Sequence, residues 1–452
     1  MINYTSCKQL KIEEFATPFE LAINATNRWV KLSNLIDWDE LVRIYMQKMN
    51  IKEGRPAVHP RVAVGALIVK NYLKLSDEQT LMTIQENPYI QFFLGYNVYH
   101  DKLAFSSSLF VEIRKRMGLD EFNKFNEYLC KQEYEKQGNT AKNQPNVLNY
   151  GKLQSDATVC DQYIKYPTDL DLLNQSREWS EAIIDELYLK SDMSRKKART
   201  YRQVARRQWL SVSKKKNKSK KEIRKAIKLQ LNYLTRNFKS IETLLDQIGG
   251  TIPLSRTLYK KYLVIQHVYS QQQSMYKNKT NQCEDRIVSI DQPHVRPIVR
   301  GKQNRKTEFG AKINISLDNG LARIDRLSWD AFNEGCDLKT QVEAYKVIHG
   351  YYPELVQVDK IYATKENRKY LKENSIRITA EPLGRKPKED KLTRKEKNQK
   401  RKEFNERNHV EGKFGQGKNG YNLNKIRTRL KETSESTIAC IFVIMNLIKL
   451  LV

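Results

Sequence analysis

A chain of 452 residues is long enough for roughly three domains with cores of their own, which excludes a small stapled scaffold. Its 81 Lys and Arg against 52 Asp and Glu give a formal net charge of +29 and a pI near 9.6, so the surface attracts anions and nucleic acid is the default partner. The six cysteines (Cys7, Cys130, Cys160, Cys283, Cys336, Cys440) are far apart with no C-x-x-C pair, which argues against a zinc knuckle or a disulfide framework and for a reducing cytoplasm.

The start, "MINYTSCKQLKIEEF", has no apolar run and does not read as a secretory signal. From residue 10 to about 130, apolar residues recur at spacings of three and four, which predicts helices, with Ser76 as the N-cap of "DEQTLMTIQ". Residues 1–133 are therefore expected to form a helical N-terminal domain, either a packing module or a helix-turn-helix-like DNA reader. Residues 134–152, "YEKQGNTAKNQPNVLNYGK", are polar and turn-rich and read as a linker. Residues 153–190 begin with an extended segment holding Asp156 among small residues and pass through Pro167 into a helix.

Residues 191–285 form the basic region. Within it, 195–239 hold eighteen Lys or Arg against the single acid Glu222. Val204, Leu210, Ile223, Ile227, Leu231 and Leu234 are interleaved at helical spacing, so the region is expected to be helical rather than a tail. Its net charge would repel itself unless phosphates neutralised it. Arg206, Arg207, Lys214, Lys215 and Lys216 are the expected DNA contacts here.

Residues 286–452 turn to strands. "TEFGAKINISLDNGLARIDRLSW" reads as a hairpin turning at Asp318-Asn319-Gly320. "PELVQVDKIYATKENRKYLKENSIRITAEP" reads as strand, helix, strand, with Asp359 at the carboxyl end of the first strand, where ligands of open α/β sheets bind. The terminal "TIACIFVIMNLIKLLV" has 16 residues and is interrupted by Asn446 and Lys449, short of the roughly 20 needed to span a bilayer, so it is expected to dock in the core with no membrane partner.

In "RNHVEGKFGQGK", residues 407–418, one acid lies among basic residues. At about 100° per residue, Phe404, Arg407, Glu411 and Lys418 project within about 60° of one another on a helix. Gly412, Gly415, Gly417 and Gly420 work against that helix, and a loop whose backbone approaches a phosphate serves the same end. A lone carboxylate where phosphates bind is costly unless a cation stands between, and a divalent metal is the simplest. Asp156, Asp359 and Glu411 would suffice for a pair of Mg²⁺ ions, Asp156 bridging both and the other two each completing one. Asp161 is the rival to Asp156. Trp329 reads as a buried aromatic, His409 as a surface residue, and Asp291 with His294 lacks the further ligands of a metal site.

Four blocks, "SDATVCDQYIKYPTDLDLLNQSRE", "DQPHVRPIVRGKQNRKTEFGAKINISLDNG", "LVQVDKIYATKENRKYLKENSIRITAEPLGR" and "RNHVEGKFGQGKNGYNLNKIRTRL", resemble the DDE transposases of bacterial insertion sequences, in the large group typified by IS four and IS five. The resemblance covers most of residues 55–452. It implies an α+β multidomain protein: a helical N-terminal domain, then an RNase H-like α/β catalytic core interrupted by a basic helical insertion. It implies that Asp156, Asp359 and Glu411 are the catalytic and metal-binding triad, served by two Mg²⁺ ions for which Mn²⁺ can substitute. The signature Tyr-x2-Arg-x3-Glu-x6-Lys is met at Arg407, Glu411 and Lys418, with Phe404 in place of the tyrosine. By this resemblance Arg407 and Lys418, with Lys413 beside them, would bind phosphates, and the basic insertion would be a DNA clamp or dimer surface. The implied partners are double-stranded DNA, as transposon terminal inverted repeats and target, and a second copy of the chain in a cytoplasmic, nucleoid-associated complex. A non-catalytic descendant would keep the charge without needing the acids, a plain nuclease would need no end-reading domain, and an RNA binder fits the charge alone.

Overall fold

The computed structural model describes residues 23–49, 57–136, 149–191, 196–299, 307–381 and 393–451. The chain divides into two compact units, the first made of Met1–Gln162 and Ala311–Val452, the second of Tyr163–Gly310.

In the first unit the described residues form, in order, α1 (Arg28–Leu35), α2 (Trp38–Met46), α3 (Pro60–Leu73), α4 (Asp77–Glu86), α5 (Pro88–Phe93), α6 (Leu109–Arg116) and α7 (Leu119–Lys136), followed by β1 (Lys152–Asp161). Local chemistry sets the helix starts: Asn27 and Asp37 cap α1 and α2, Ser76 and Gln79 form a reciprocal capping box on α4, and prolines open α3 and α5. Eleven of the fourteen residues of α3 are buried, so it is a central helix rather than an amphipathic one.

The second unit holds α8 (Asp169–Lys190), α9 (Arg202–Ser213), α10 (Lys220–Ile248), α11 (Arg256–Asn278) and β2 (Arg296–Val299). Leu173, Ile183, Ile184 and Leu187 of α8 pack with Leu234 and Ile241 of α10 and Ile265 and Val268 of α11. The lone acid Glu222 closes a capping box with Ser219 at the start of α10 and pairs with Lys215 at 2.6 Å. Of the apolar stripe expected here, Leu231 and Leu234 are buried, but Val204 is 37% exposed and its neighbour Ala205 takes the inward position on α9.

β3 (Thr307–Asp318) pairs antiparallel with β2 through its first four residues, 307–310, which belong to the second unit; from Ala311 it belongs to the first. It turns into β4 (Leu321–Ser328) at Asn319 and Gly320, with φ of 48° and 82°, the left-handed pair of a type I′ hairpin. Then come α12 (Leu338–His349), β5 (Leu355–Gln357), α13 (Lys365–Glu373), β6 (Arg377–Ile378), α14 (Arg394–Glu406), α15 (Asn408–Gly415) and α16 (Lys431–Leu451). β3 neighbours β1, β1 pairs parallel with β5, and β5 parallel with β6.

The compact units depart from the boundaries read in the sequence. The helical N-terminal residues share a unit with the sheet, and the second unit runs from Tyr163 to Gly310 rather than 191–285. The cause is α16, which packs against α3, α6, α7 and β4 and so joins the two ends of the chain in one core. Its Asn446, read as an interruption, is fully buried and fully bonded: it donates to Asn126 Oδ1 at 2.7 Å and Ala322 O at 2.8 Å and accepts from the Ala322 N–H at 2.9 Å. By length and composition α16 is apolar enough to cross a membrane, but 67% of its apolar window is buried inside the protein. Within the expected linker 134–152, α7 extends to Lys136 and residues 137–148 lie outside the described residues.

Candidate active site

The site begins with strand alternation. Gln154 and Asp156 share one face of β1, while Leu153 faces the core formed with Val356, Val358 and Tyr362. β5 repeats the arrangement: Gln357 is in register with Gln154, and Asp359 follows at the strand's carboxyl end, just as Asp156 follows Gln154. The two glutamines are buried and bonded to each other, Gln154 Nε2 to Gln357 Oε1 at 2.7 Å. Together they fasten the end of α14, Gln154 donating to Glu406 O at 2.9 Å and Gln357 to Glu403 O at 2.7 Å. Lys152 adds an ion pair to Glu406 at 2.6 Å.

The sequence reading missed these glutamines. The signal was present as a repeated Gln-x-Asp, "QSD" at 154–156 and "QVD" at 357–359. In each case a polar residue points to the same strand face as the acid and seats the helix that brings the third one.

That helix does not run as expected. α14 ends at Glu406, Arg407 forms the joint, α15 covers Asn408–Gly415, and Gln416–Gly420 wind into one π-turn. Phe404, Arg407, Glu411 and Lys418 therefore do not share one continuous helix face. Arg407 and Glu411 still meet as neighbours four apart, Nη2 to Oε1 at 2.9 Å. Phe404 is 51% exposed, with its ring centroid 5.6 Å from the Arg407 guanidinium carbon. Lys418 sits half-buried in the π-turn and reaches none of the three acids.

The structure brings Asp156, Asp359 and Glu411 together around the Arg407 guanidinium, at 3.8, 3.0 and 2.9 Å respectively. Asp161, an odd number of residues from Asp156 along β1, lies on the other strand face. Burial raises the Asp156 carboxyl; a hydrogen bond from the Ala157 N–H and the charge of Arg407 oppose it, Asp359 and Glu411 add to it, and the result is about 6. The guanidinium itself is unevenly satisfied: Nη2 bonds Glu411, Nη1 lies 3.0 Å from Asp359 Oδ1 without hydrogen-bond alignment, and Nε is buried without a partner.

Carboxylate oxygens are the donors that Mg²⁺ and Mn²⁺ prefer, and here three converge from separate elements on one cationic group, so the residues fit a divalent ion in kind. The guanidinium occupies the middle. With it there, no group of three or more His, Cys, Asp or Glu among the described residues is set closely enough to hold an ion.

Lys413 requires a correction. Expected to meet DNA, it is 8% exposed and points inward, donating to Gly320 O at 3.0 Å, with Met445 O at 3.5 Å. The reason is position: two residues beyond Glu411, it lies on the opposite side of α15. Burial and the nearby Lys449 lower its pKa to about 8. Arg206 and Arg207 on α9 and Lys214, Lys215 and Lys216 after it are exposed. Trp329 is buried, donating to Glu435 Oε1 at 2.8 Å, and His409 is exposed. Asp291 is engaged by Lys261.

Two acids lie just past the paired stretch of the parallel strands β1 and β5 and a third comes from α15, a carboxylate cluster in a chain of net charge +29. Residues 356–448 match the family described as "Transposase DDE domain", and residues 18–116 match "Transposase domain (DUF772)". The chain is also 30% identical over 162 residues to "Uncharacterized protein ORF8 in nfe locus" of Rhizobium meliloti, covering 35% of this chain and 73% of that protein. No solved structure matches. This chain belongs to the DDE-type insertion-sequence transposases. Its family's members are nucleases and transferases that act on DNA and generally use divalent metals.

Proposed function

We propose that this chain is an active transposase that binds the terminal inverted repeats of its element, hydrolyses the DNA strand there and joins the freed 3′-hydroxyl to target DNA. The observation that carries the reading is the convergence of Asp156, Asp359 and Glu411 on one cation within the matched family. The strand order, with the first acid on the central strand and the second at the end of its parallel neighbour, supports an RNase H-like core. In this reading Asp156, Asp359 and Glu411 hold two Mg²⁺ ions, with Mn²⁺ able to substitute. Bound there, the ions would lower the pKa of an attacking water and stabilise the leaving 3′ oxygen.

The chain's own residues supply the rest. Gln154 and Gln357 fix the α14–α15 joint, and hence the height of Glu411 above the two aspartates. Arg407 and Lys418 bind backbone phosphates. The exposed Arg206, Arg207, Lys214, Lys215 and Lys216 grip the duplex backbone. The N-terminal helices read the end sequence, and two copies bridge the two ends in the cytoplasm.

The test is cleavage of a supercoiled donor plasmid carrying the element's ends in Mg²⁺, comparing the native chain with Glu411→Gln. Native cleavage and joining, lost in a variant that still binds the ends, supports the reading. Nicks without joined products reduce the protein to a nuclease, and equal cutting by both removes Glu411 from the site.

A further inference from the structure

We infer that Arg407 is an internal counter-cation that holds the three acids in place of metal and is drawn off by a DNA phosphate, so that metal loading is coupled to DNA binding. The inference rests on the triad reading above but concerns a residue that touches no metal. The guanidinium is within 3.8 Å of all three carboxylates, and its residue is 8% exposed. Its positive charge stands where an entering cation would have to come, and it engages the oxygens that the cation needs.

The hold is incomplete. Nη2 is hydrogen-bonded to Glu411, Nη1 is in ion-pair contact with Asp359 at 3.0 Å but not aligned for a hydrogen bond, and Nε is buried without a partner. A phosphate offers a planar guanidinium two parallel charge-assisted bonds, which this arrangement denies it. Exchange therefore satisfies the arginine and frees the acids together.

The backbone beside Arg407 is held, so in this inference the exchange is a movement of the side chain. Arg407 lies at the joint of α14 and α15, and the preceding Glu406 is fastened by Gln154, Gln357 and Lys152. On the outer side lies the exposed ring of Phe404, a flat face for the guanidinium to slide across. Beyond it opens a cleft of about 1290 Å³ that Asp359 and Phe404 both line, together with Lys360, Arg368, Lys400 and Arg401, a place for phosphates. Phenylalanine at 404 brings no hydroxyl to compete for the guanidinium.

Coupling of this kind is reciprocal and typically amounts to 5–150-fold. The experiment titrates Mn²⁺ into the full-length protein without DNA, reading free Mn²⁺ by electron paramagnetic resonance, for the native chain, Arg407→Gln, Arg407→Lys and Asp156→Asn, with thermal melts to verify folding. Arg407→Gln is expected to bind Mn²⁺ about tenfold or more tightly than native. Arg407→Lys, which keeps a charge but lacks the fork, should fall between them and carries the test if the glutamine variant does not fold. On a saturating duplex lacking the element's ends, with the Asp156→Asn signal subtracted as DNA-bound ion, the gap between native and variant should close.

Variants that bind Mn²⁺ no more tightly than native, while Asp156→Asn abolishes binding, would overturn the inference and leave the triad standing. A gap that persists on DNA sinks the phosphate release. If Asp156→Asn binds Mn²⁺ like the native chain, the triad reading itself falls.

Discussion

Two regions of this molecule carry charge in opposite ways. Around Arg407 few charges are present, but each is placed by a strand, a helix joint or a buried glutamine, and burial makes the placement consequential. Along α9 and the start of α10 the charges are many, exposed and mostly of one sign, and Glu222 is spent on capping the helix. Chemistry needs geometry, whereas attraction to a polyanion needs only number and access. The two regions should therefore fail differently when altered.

The largest effect is expected at the acids. Asp156→Asn keeps size but removes the charge, and should lower cleavage by at least about 10³-fold, the equivalent of several kcal/mol of transition-state stabilisation. End binding, measured by fluorescence anisotropy, should change little, because the basic region is untouched. Loss of binding together with cleavage would erase the distinction between the regions.

Next come the glutamines. Gln154→Leu leaves the Glu406 carbonyl and the Gln357 amide oxygen without their donor, costing about 1–3 kcal/mol in a urea melt. The larger consequence is on rate: a shift of about 1 Å in the helix carrying Glu411 can cost roughly 10²-fold. Exchanging both glutamines for leucine should not restore either, because the Glu403 and Glu406 carbonyls stay buried and unpaired. Full activity in the single variant would show that the α14 joint does not depend on this pair.

How far these features were legible in the sequence follows from the range of the interactions. The Ser76 N-cap, the Asn319-Gly320 hairpin and the strand-helix-strand around Asp359 are set by neighbours a few residues apart, and all three were readable. What escaped depends on partners far along the chain. Asn446 looks like a flaw in an apolar helix until Asn126 and Ala322 are seen to bond it, and Lys413 looks like a DNA contact until Gly320 is seen to accept from it. The break at Arg407 is of the same kind, since the preceding helix end is fastened by residues about 50 and 250 positions earlier.

In the basic region, smaller and graded effects are expected. Lys214 and Lys216 are exposed and make no ion pair among the described residues, whereas Lys215 is held by Glu222. Replacing Lys214 and Lys216 by alanine should reduce the slope of log affinity against log salt by about 2, near one unit for each phosphate left unneutralised. Replacing Lys215 should reduce it less. Cleavage of saturated complexes should not change. An unaltered slope would remove this turn from the DNA footprint.

The smallest effect on DNA binding is expected from Lys413→Met, although it alters a lysine two residues from Glu411. The native ammonium is buried and its pKa lowered to about 8, while in the unfolded chain it returns to the ordinary 10.5. Between these values the unfolded state holds the extra proton, so stability should rise with pH across that window, by an upper limit of roughly 3 kcal/mol. Below pH 8 the lysine is charged in both states and the full cost is present. Methionine removes the titration, so this contribution to the slope should vanish in urea melts at pH 7.5, 8.5 and 9.5, while the Gly320 carbonyl loses its donor at a cost of about 1–3 kcal/mol. DNA affinity and its salt slope should match the native protein. If affinity falls with an unchanged melt, the side chain reaches DNA after all, and the division between placed and merely numerous charges is drawn in the wrong place.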